Sequence, residues 1–186
     1  MQATAFKRLF LALILCSFGN AAFAQVTVTQ GTGGTNICPN LAATGSAPAY
    51  TPVNAIQVTE TSAADLSNGA NTLVLNPPTG WQFNTSVTPT YTFIPGRNIT
   101  SITSVYSSGT LVITVNCTGA GLFDAFNISN LRVQATTTGS AAGYIYSSST
   151  GIPGITTSPT GTNFADVSLA AAIVPAVSVS ASPSTS

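Results

Sequence analysis

The sequence predicts an all-β fold, an antiparallel β-sandwich of immunoglobulin-like or cohesin-like type with about seven to nine strands. Three observations carry this. Short segments alternate apolar and polar residues with a period of two, which gives a strand one buried face. Gly, Pro, Asn and Ser separate those segments and supply turn conformations. No stretch after residue 24 repeats its apolar residues at helical spacing, so no helices are available to cover a parallel sheet.

Taken in chain order, Val26 to Thr29 opens the sheet, and Ala55 to Thr61 sets Ile56 and Val58 against Gln57 and Thr59. Thr72 to Leu75 follows and stops at Pro77-Pro78, since proline cannot donate to a strand ladder. Thr79 to Asn84 reads as a turn that returns Trp81 and Phe83 to the core, with Trp81 expected to be buried. Val87 to Phe93 is extended. Ile99 to Tyr106 places Ile99 and Val105 on one face and Ile102 and Tyr106 on the other. It joins Leu111 to Val115 through Ser107-Ser108-Gly109, the best hairpin in the chain. Phe126 to Thr136 carries Ile128, Leu131 and Val133, with Asp124 and Asn130 as turn or bulge residues, and Tyr144 to Tyr146 begins a further strand.

The ends read differently from this middle. Residues 1–24 have the plan of a secretory signal peptide: Lys7 and Arg8, an apolar run from Leu9 to Phe18, then Ala22-Phe23-Ala24 as a small-residue cleavage site. About ten apolar residues span only about 15 Å as a helix, half of a bilayer core. Cleavage therefore places the mature start at Gln25, and no later segment is apolar enough to cross a membrane. Cys16 suggests lipid attachment, but the bulky Leu13-Ile14-Leu15 before it argues against that. Residues 174–186 are rich in Pro, Ser and Ala and read as a linker. Within it, Val177 to Ser180 alternates like the start of a missing repeat. The domain is expected over 25–173, in a secreted or cell-surface protein.

Composition narrows the functions. After residue 24 the only basic residues are Arg97 and Arg132, against Glu60, Asp65, Asp124 and Asp166. Nucleic acid and anionic membranes are poor partners for so few cations. There is no His, and no Lys after Lys7. Asp65 and Asp124, near Asn68-Gly69 and Asn127, suit capping of backbone donors better than acid–base catalysis, and no catalytic residue is expected. Glu60 and Asp65 are the nearest approach to a calcium cluster, without EF-hand spacing. No metal or other cofactor is expected.

Two cysteines remain after cleavage, Cys38 and Cys117. Export to an oxidising compartment makes a bridge between them the first expectation, contributing about 4.5 kcal/mol on the chain-entropy model. Two inert buried thiols, or pairing with a downstream domain, are the alternatives. Among the aromatic residues, Tyr144 and Tyr146 share one strand face and are the candidate ligand-binding pair, able to stack on sugar rings. Asn84, Asn98, Asn116 and Asn127 each begin an Asn-X-Ser/Thr triplet, a pattern that arises by chance in a chain so rich in Thr and Ser.

Four stretches carry a resemblance: Ile56-Gln57-Val58-Thr59-Glu60, Leu73 to Asn84 with its Pro77-Pro78-Thr79-Gly80-Trp81 centre, Gly96-Arg97-Asn98-Ile99-Thr100, and Leu131-Arg132-Val133-Gln134-Ala135. Together they resemble the N-terminal β-sandwich domain of large secreted or surface proteins of Bacteroidota-type bacteria, which precedes immunoglobulin-like or PKD-like repeats. The resemblance covers most of Cys38 to Leu169. It implies the N-terminal part of a larger protein; with the lack of catalytic groups it gives a non-catalytic structural or adhesive module, and a glycan or a surface protein is the expected partner. A carbohydrate-binding module is the alternative.

Overall fold

A computed structural model describes residues 25–171. The expected signal peptide (1–24) and linker (174–186) lie outside the described residues. Within them the chain is all-β, with twelve strands and one short 3₁₀ turn, Pro39–Leu41. The strands are β1 (Val26–Thr29), β2 (Thr51–Val53), β3 (Ile56–Glu60), β4 (Gly69–Asn76), β5 (Trp81–Phe83) and β6 (Thr90–Phe93). They continue with β7 (Ile99–Ser107), β8 (Thr110–Cys117), β9 (Ala125–Ser129), β10 (Leu131–Ala135), β11 (Gly143–Ser147) and β12 (Asn163–Val167).

All named strand pairings are antiparallel. A five-stranded sheet has the order β12-β11-β4-β8-β7, a four-stranded one β1-β3-β9-β6 and a three-stranded one β2-β10-β5. The two smaller sheets are halves of one bent layer. Val53 pairs with Leu131 and Ile56 with Ile128, three residues onward along β2/β3 and three back along β9/β10, so one register runs through both. The interruption falls at Asn130, whose φ of 61° breaks the extended backbone between β9 and β10. This explains why twelve strands are found where seven to nine are expected: the stretch read as one strand over 126–136 is divided at Asn130, β2 and β5 are only three residues long, and β12 breaks alternation with adjacent buried Phe164 and Ala165.

The inner faces of both layers form one hydrophobic cluster in which Leu73, Leu75, Ile113, Phe126, Ile128 and Phe164 are fully enclosed. Strict alternation along β8, from Leu111 to Cys117, puts every second side chain in this core. The β7–β8 hairpin closes at Ser107–Thr110. Ser108 and Gly109 have φ of 50° and 81°, the two positive values of a type I′ turn, whose twist matches the flanking strands.

One expectation about faces is overturned. The register of β7 shifts between Ile99 and Ser101, so Ile99 is buried with Ile102 and Tyr106 packed toward the core, while Val105 is 60% exposed. A bulge inserts one residue and inverts the alternation beyond it.

The segment after β1 crosses from the bent layer to the free edge of β12. Gly31 and Ile37 form parallel bridges with Ala165 and Leu169, and the intervening chain covers an edge that would otherwise offer unpaired backbone groups. The crossing is tight, since a Cβ on Gly34 would stand 2.3 Å from the Asp166 carbonyl oxygen. No helix of the described residues is long and apolar enough to cross a membrane.

Candidate functional site

Tyr144 and Tyr146 both project from the outer face of β11, because the fully buried Ile145 between them takes the core side. Both are half-buried. Tyr144 pairs with Asp166 on β12, and Tyr146 lies between Asn163 on β12 and Asn76 on β4. Asp166 is exposed and accepts a hydrogen bond from Asn163 Nδ2 at 2.8 Å. Asn76 Nδ2 donates to Ser148 Oγ at 2.8 Å. The phenol of Tyr144 also walls an open cleft of about 590 Å³ with Pro78, Thr79, Ala142, Pro159 and Asp166. Two aromatic rings thus sit among planar amide and carboxylate groups beside a concavity. The sequence offers the tyrosine pair directly. Its neighbours on β12 are hidden because that strand does not alternate, Phe164 and Ala165 both being buried, and its register shifts opposite Ile145 and Tyr146.

The other three carboxylates meet at the opposite end of the sandwich, where β3 ends and β4, β7 and β9 begin. Glu60, Asp65 and Asp124 are 4%, 1% and 1% exposed. Glu60 and Asp65 are consumed by the backbone, Asp124 by a side-chain amide. Glu60 accepts from the amides of Leu66 at 2.5 Å and Asp124 at 2.6 Å. Asp65 accepts from the amides of Gln25, Thr61 and Ser62 at 2.7–2.9 Å. Asp124 takes Asn98 Nδ2 at 2.9 Å, and Asn98 also donates to the Leu122 carbonyl at 2.8 Å. Arg97 donates to the Phe123 carbonyl and not to a carboxylate. Burial raises the Glu60 pKa above its ordinary 4.5, opposed by its two backbone donors and reinforced by Asp124 and Asp65. The cluster ties three loops together. Among the described residues no group of His, Cys, Asp and Glu has the arrangement of a metal site.

Cys117 adjoins this cluster. It is buried, its Sγ faces Asn71 Nδ2 at 3.8 Å, and burial followed by the nearby Asp124 and Glu60 charges pushes its thiol up to about 11. The expected bridge to Cys38 is not formed: both cysteines are free, and Cys38 is exposed. The reason is topological. Cys117 pairs with Gly69 at the start of β4, whereas Cys38 follows Ile37, which bridges Leu169 beyond the far end of that strand. The length of β4, roughly 20 Å at strand rise, separates them, while a disulfide needs Cα atoms about 4.4–6.8 Å apart.

Trp81 and Tyr106 are structural. Trp81 is 5% exposed and donates from Nε1 to the Ala141 carbonyl at 2.8 Å, in keeping with the burial expected of it. Tyr106 packs its ring 6.3 Å from that of Phe83. Its buried hydroxyl has no partner, and burial followed by Tyr91 raises its pKa to about 12. No protein-family model, curated protein or solved structure matches this chain.

Proposed function

We propose that the chain is a non-catalytic structural or adhesive module, secreted or held at the cell surface, that forms the N-terminal part of a larger protein. The observation that carries the non-catalytic part is the use of all three buried carboxylates as structural acceptors, Glu60 and Asp65 for main-chain amides and Asp124 for the Asn98 side-chain amide. A general acid or base must be within reach of substrate and free to exchange its proton. The fourth carboxylate, Asp166, is exposed, bonded to Asn163 and distant in the fold from the other three. Export is supported by the basic, apolar and small-residue succession of residues 1–24. The larger context is supported by the resemblance of Leu73 to Asn84 and its companion stretches to Bacteroidota-type surface proteins.

The test is to incubate the purified chain with a panel of glycosides and polysaccharides, and separately to measure retention of bacterial cells on beads that carry it. Cell retention without turnover is the expected result. Turnover that disappears in Asp124→Asn would overturn the proposal.

A second reading, a carbohydrate-binding module, is favoured by the Tyr144 cleft. Aromatic faces beside amide and carboxylate groups match the alternating apolar and hydroxyl surfaces of a sugar ring. Pull-down on insoluble polysaccharides decides it. Selective retention that is lost in both Tyr144→Ala and Tyr146→Ala establishes sugar binding, and retention unchanged by either removes this face from consideration.

A further inference from the structure

The backbone nitrogen of Gln25, 2.9 Å from Asp65 Oδ1, occupies the position that becomes a free α-amino group if the chain is cut after Ala24. We propose that signal cleavage creates an ion pair between the new Gln25 ammonium and the buried Asp65 carboxylate, and that this pair locks the mature fold. The proposal rests on the reading of residues 1–24 as a cleaved signal peptide.

The geometry needs no rearrangement. Gln25 is exposed, but its backbone is already held: its carbonyl accepts from the Thr61 amide at 3.1 Å and from Thr61 Oγ1 at 2.6 Å, and the next amide, Val26, donates to the Pro153 carbonyl at 3.2 Å. Gly154 closes over it, since a Cβ there would stand 2.6 Å from Gln25 Cγ and 2.8 Å from its Cα. The electrostatics call for a cation at this place. Glu60 pairs with Val26 across β1 and β3, and Asp124 hydrogen-bonds to Glu60. Three buried carboxylates therefore crowd this end of the sandwich. Neither Arg97 nor Arg132, the only cations after residue 24, donates to any of them among the described residues. A buried charge without a counter-charge is costly. In the uncut precursor the Gln25 nitrogen is a neutral amide, which fills the hydrogen bond but supplies no charge. Cleavage adds the missing positive charge where Asp65 already accepts. The full stability of the domain is thereby reserved for the processed chain.

Two chains ending at Ser186 test this, one released from a removable fusion to begin at Gln25, the other carrying one added alanine before it. At pH 7 the Gln25 chain is expected to melt about 2–4 °C higher, the scale set by exchanging a neutral for a charge-assisted hydrogen bond in a domain of this size. An ammonium stabilised by its partner contributes fully below the ordinary α-amino pKa of about 8 and loses that contribution as pH rises through its raised folded value. The gap should accordingly close in alkaline buffer, and it should be absent in Asp65→Asn. Should that variant not fold, the pH comparison decides alone. Equal melting of the two chains at pH 7, or a gap that persists at high pH, overturns the proposal. So does a folded Gln25 chain whose amine has attacked its own side-chain amide carbon and expelled ammonia to give the cyclic lactam, because an amine held as ammonium is not a nucleophile. The N-terminal sequence of the exported protein is the separate check on cleavage: any start other than Gln25 refutes the signal-peptide boundary, whatever the paired chains show.

Discussion

Glu60 provides the sharpest test of whether the acidic end of the sandwich is a staple or an electrostatic burden. The two ideas give opposite signs for Glu60→Gln. If repulsion from Asp65 and Asp124 dominates, neutralising the residue stabilises the fold. If the bonds to the Leu66 and Asp124 amides dominate, the Gln side chain keeps one acceptor and turns an NH₂ group toward the other donor. One buried N–H left unmet costs about 1–3 kcal/mol. At 4% exposure water cannot replace the lost partner. We expect the bonds to win, with Glu60→Gln destabilised by about 2 kcal/mol and Glu60→Ala, which abandons both amides, by about 3–4 kcal/mol. Urea unfolding at pH 7 measures this as a lower midpoint at unchanged slope, and the Gln variant should melt roughly 4–8 °C lower. The pH dependence has a definite sign. Because the folded pKa of Glu60 is raised above 4.5, its protonation favours the folded state. That contribution is fully present below 4.5 and is lost as pH rises through the folded value. The margin of the wild type over Glu60→Gln should therefore widen as pH falls toward 4.5. A Gln variant as stable as the wild type at pH 7 would refute the reasoning.

Other consequences follow from single features. In the native protein Cys38 should react rapidly with a thiol reagent, whereas Cys117, buried and with its thiol at about 11, should react only on unfolding; mass spectrometry of the unreduced chain should find no internal bridge. In an ultraviolet titration of the phenols one group should ionise last, near 12, and be absent in Tyr106→Phe. Since the Tyr106 hydroxyl has no partner, that variant should lose no stability at pH 7, and it should lack the decline that the wild type shows as pH rises from 10 through 12. Asn130→Val should cost about 1–2 kcal/mol in chemical unfolding, because a β-branched residue resists the left-handed backbone at this kink.

The sequence was most informative where one physical rule acts over several neighbouring residues. The alternation in Leu111 to Cys117 declares both strand and buried face, because a pleated strand between two neighbours has one side to the core. Ser108-Gly109 declares its turn, since glycine accepts positive φ. The shared face of Tyr144 and Tyr146 follows from their spacing of two. Trp81 belongs with these, its burial legible from the turn that precedes it. Where an irregularity or a distant partner decides, local rules end. The bulge at Ile99 reversed which side chains of β7 reach the core, and the kink at Asn130 divided a long strand in two.

By itself, then, the sequence determined the all-β class, the principal strands with their inner faces, and the scarcity of charge. Tertiary structure alone decided which distant residues meet. It placed Cys38 and Cys117 at opposite ends of β4, brought Asp166 beside Tyr144, and gathered Glu60, Asp65 and Asp124 around the loops they hold. The physical reason is that alternation and turn chemistry constrain neighbours along the chain. Strand order and register, fixed by packing two layers around one core, determine which of those local pieces lie side by side.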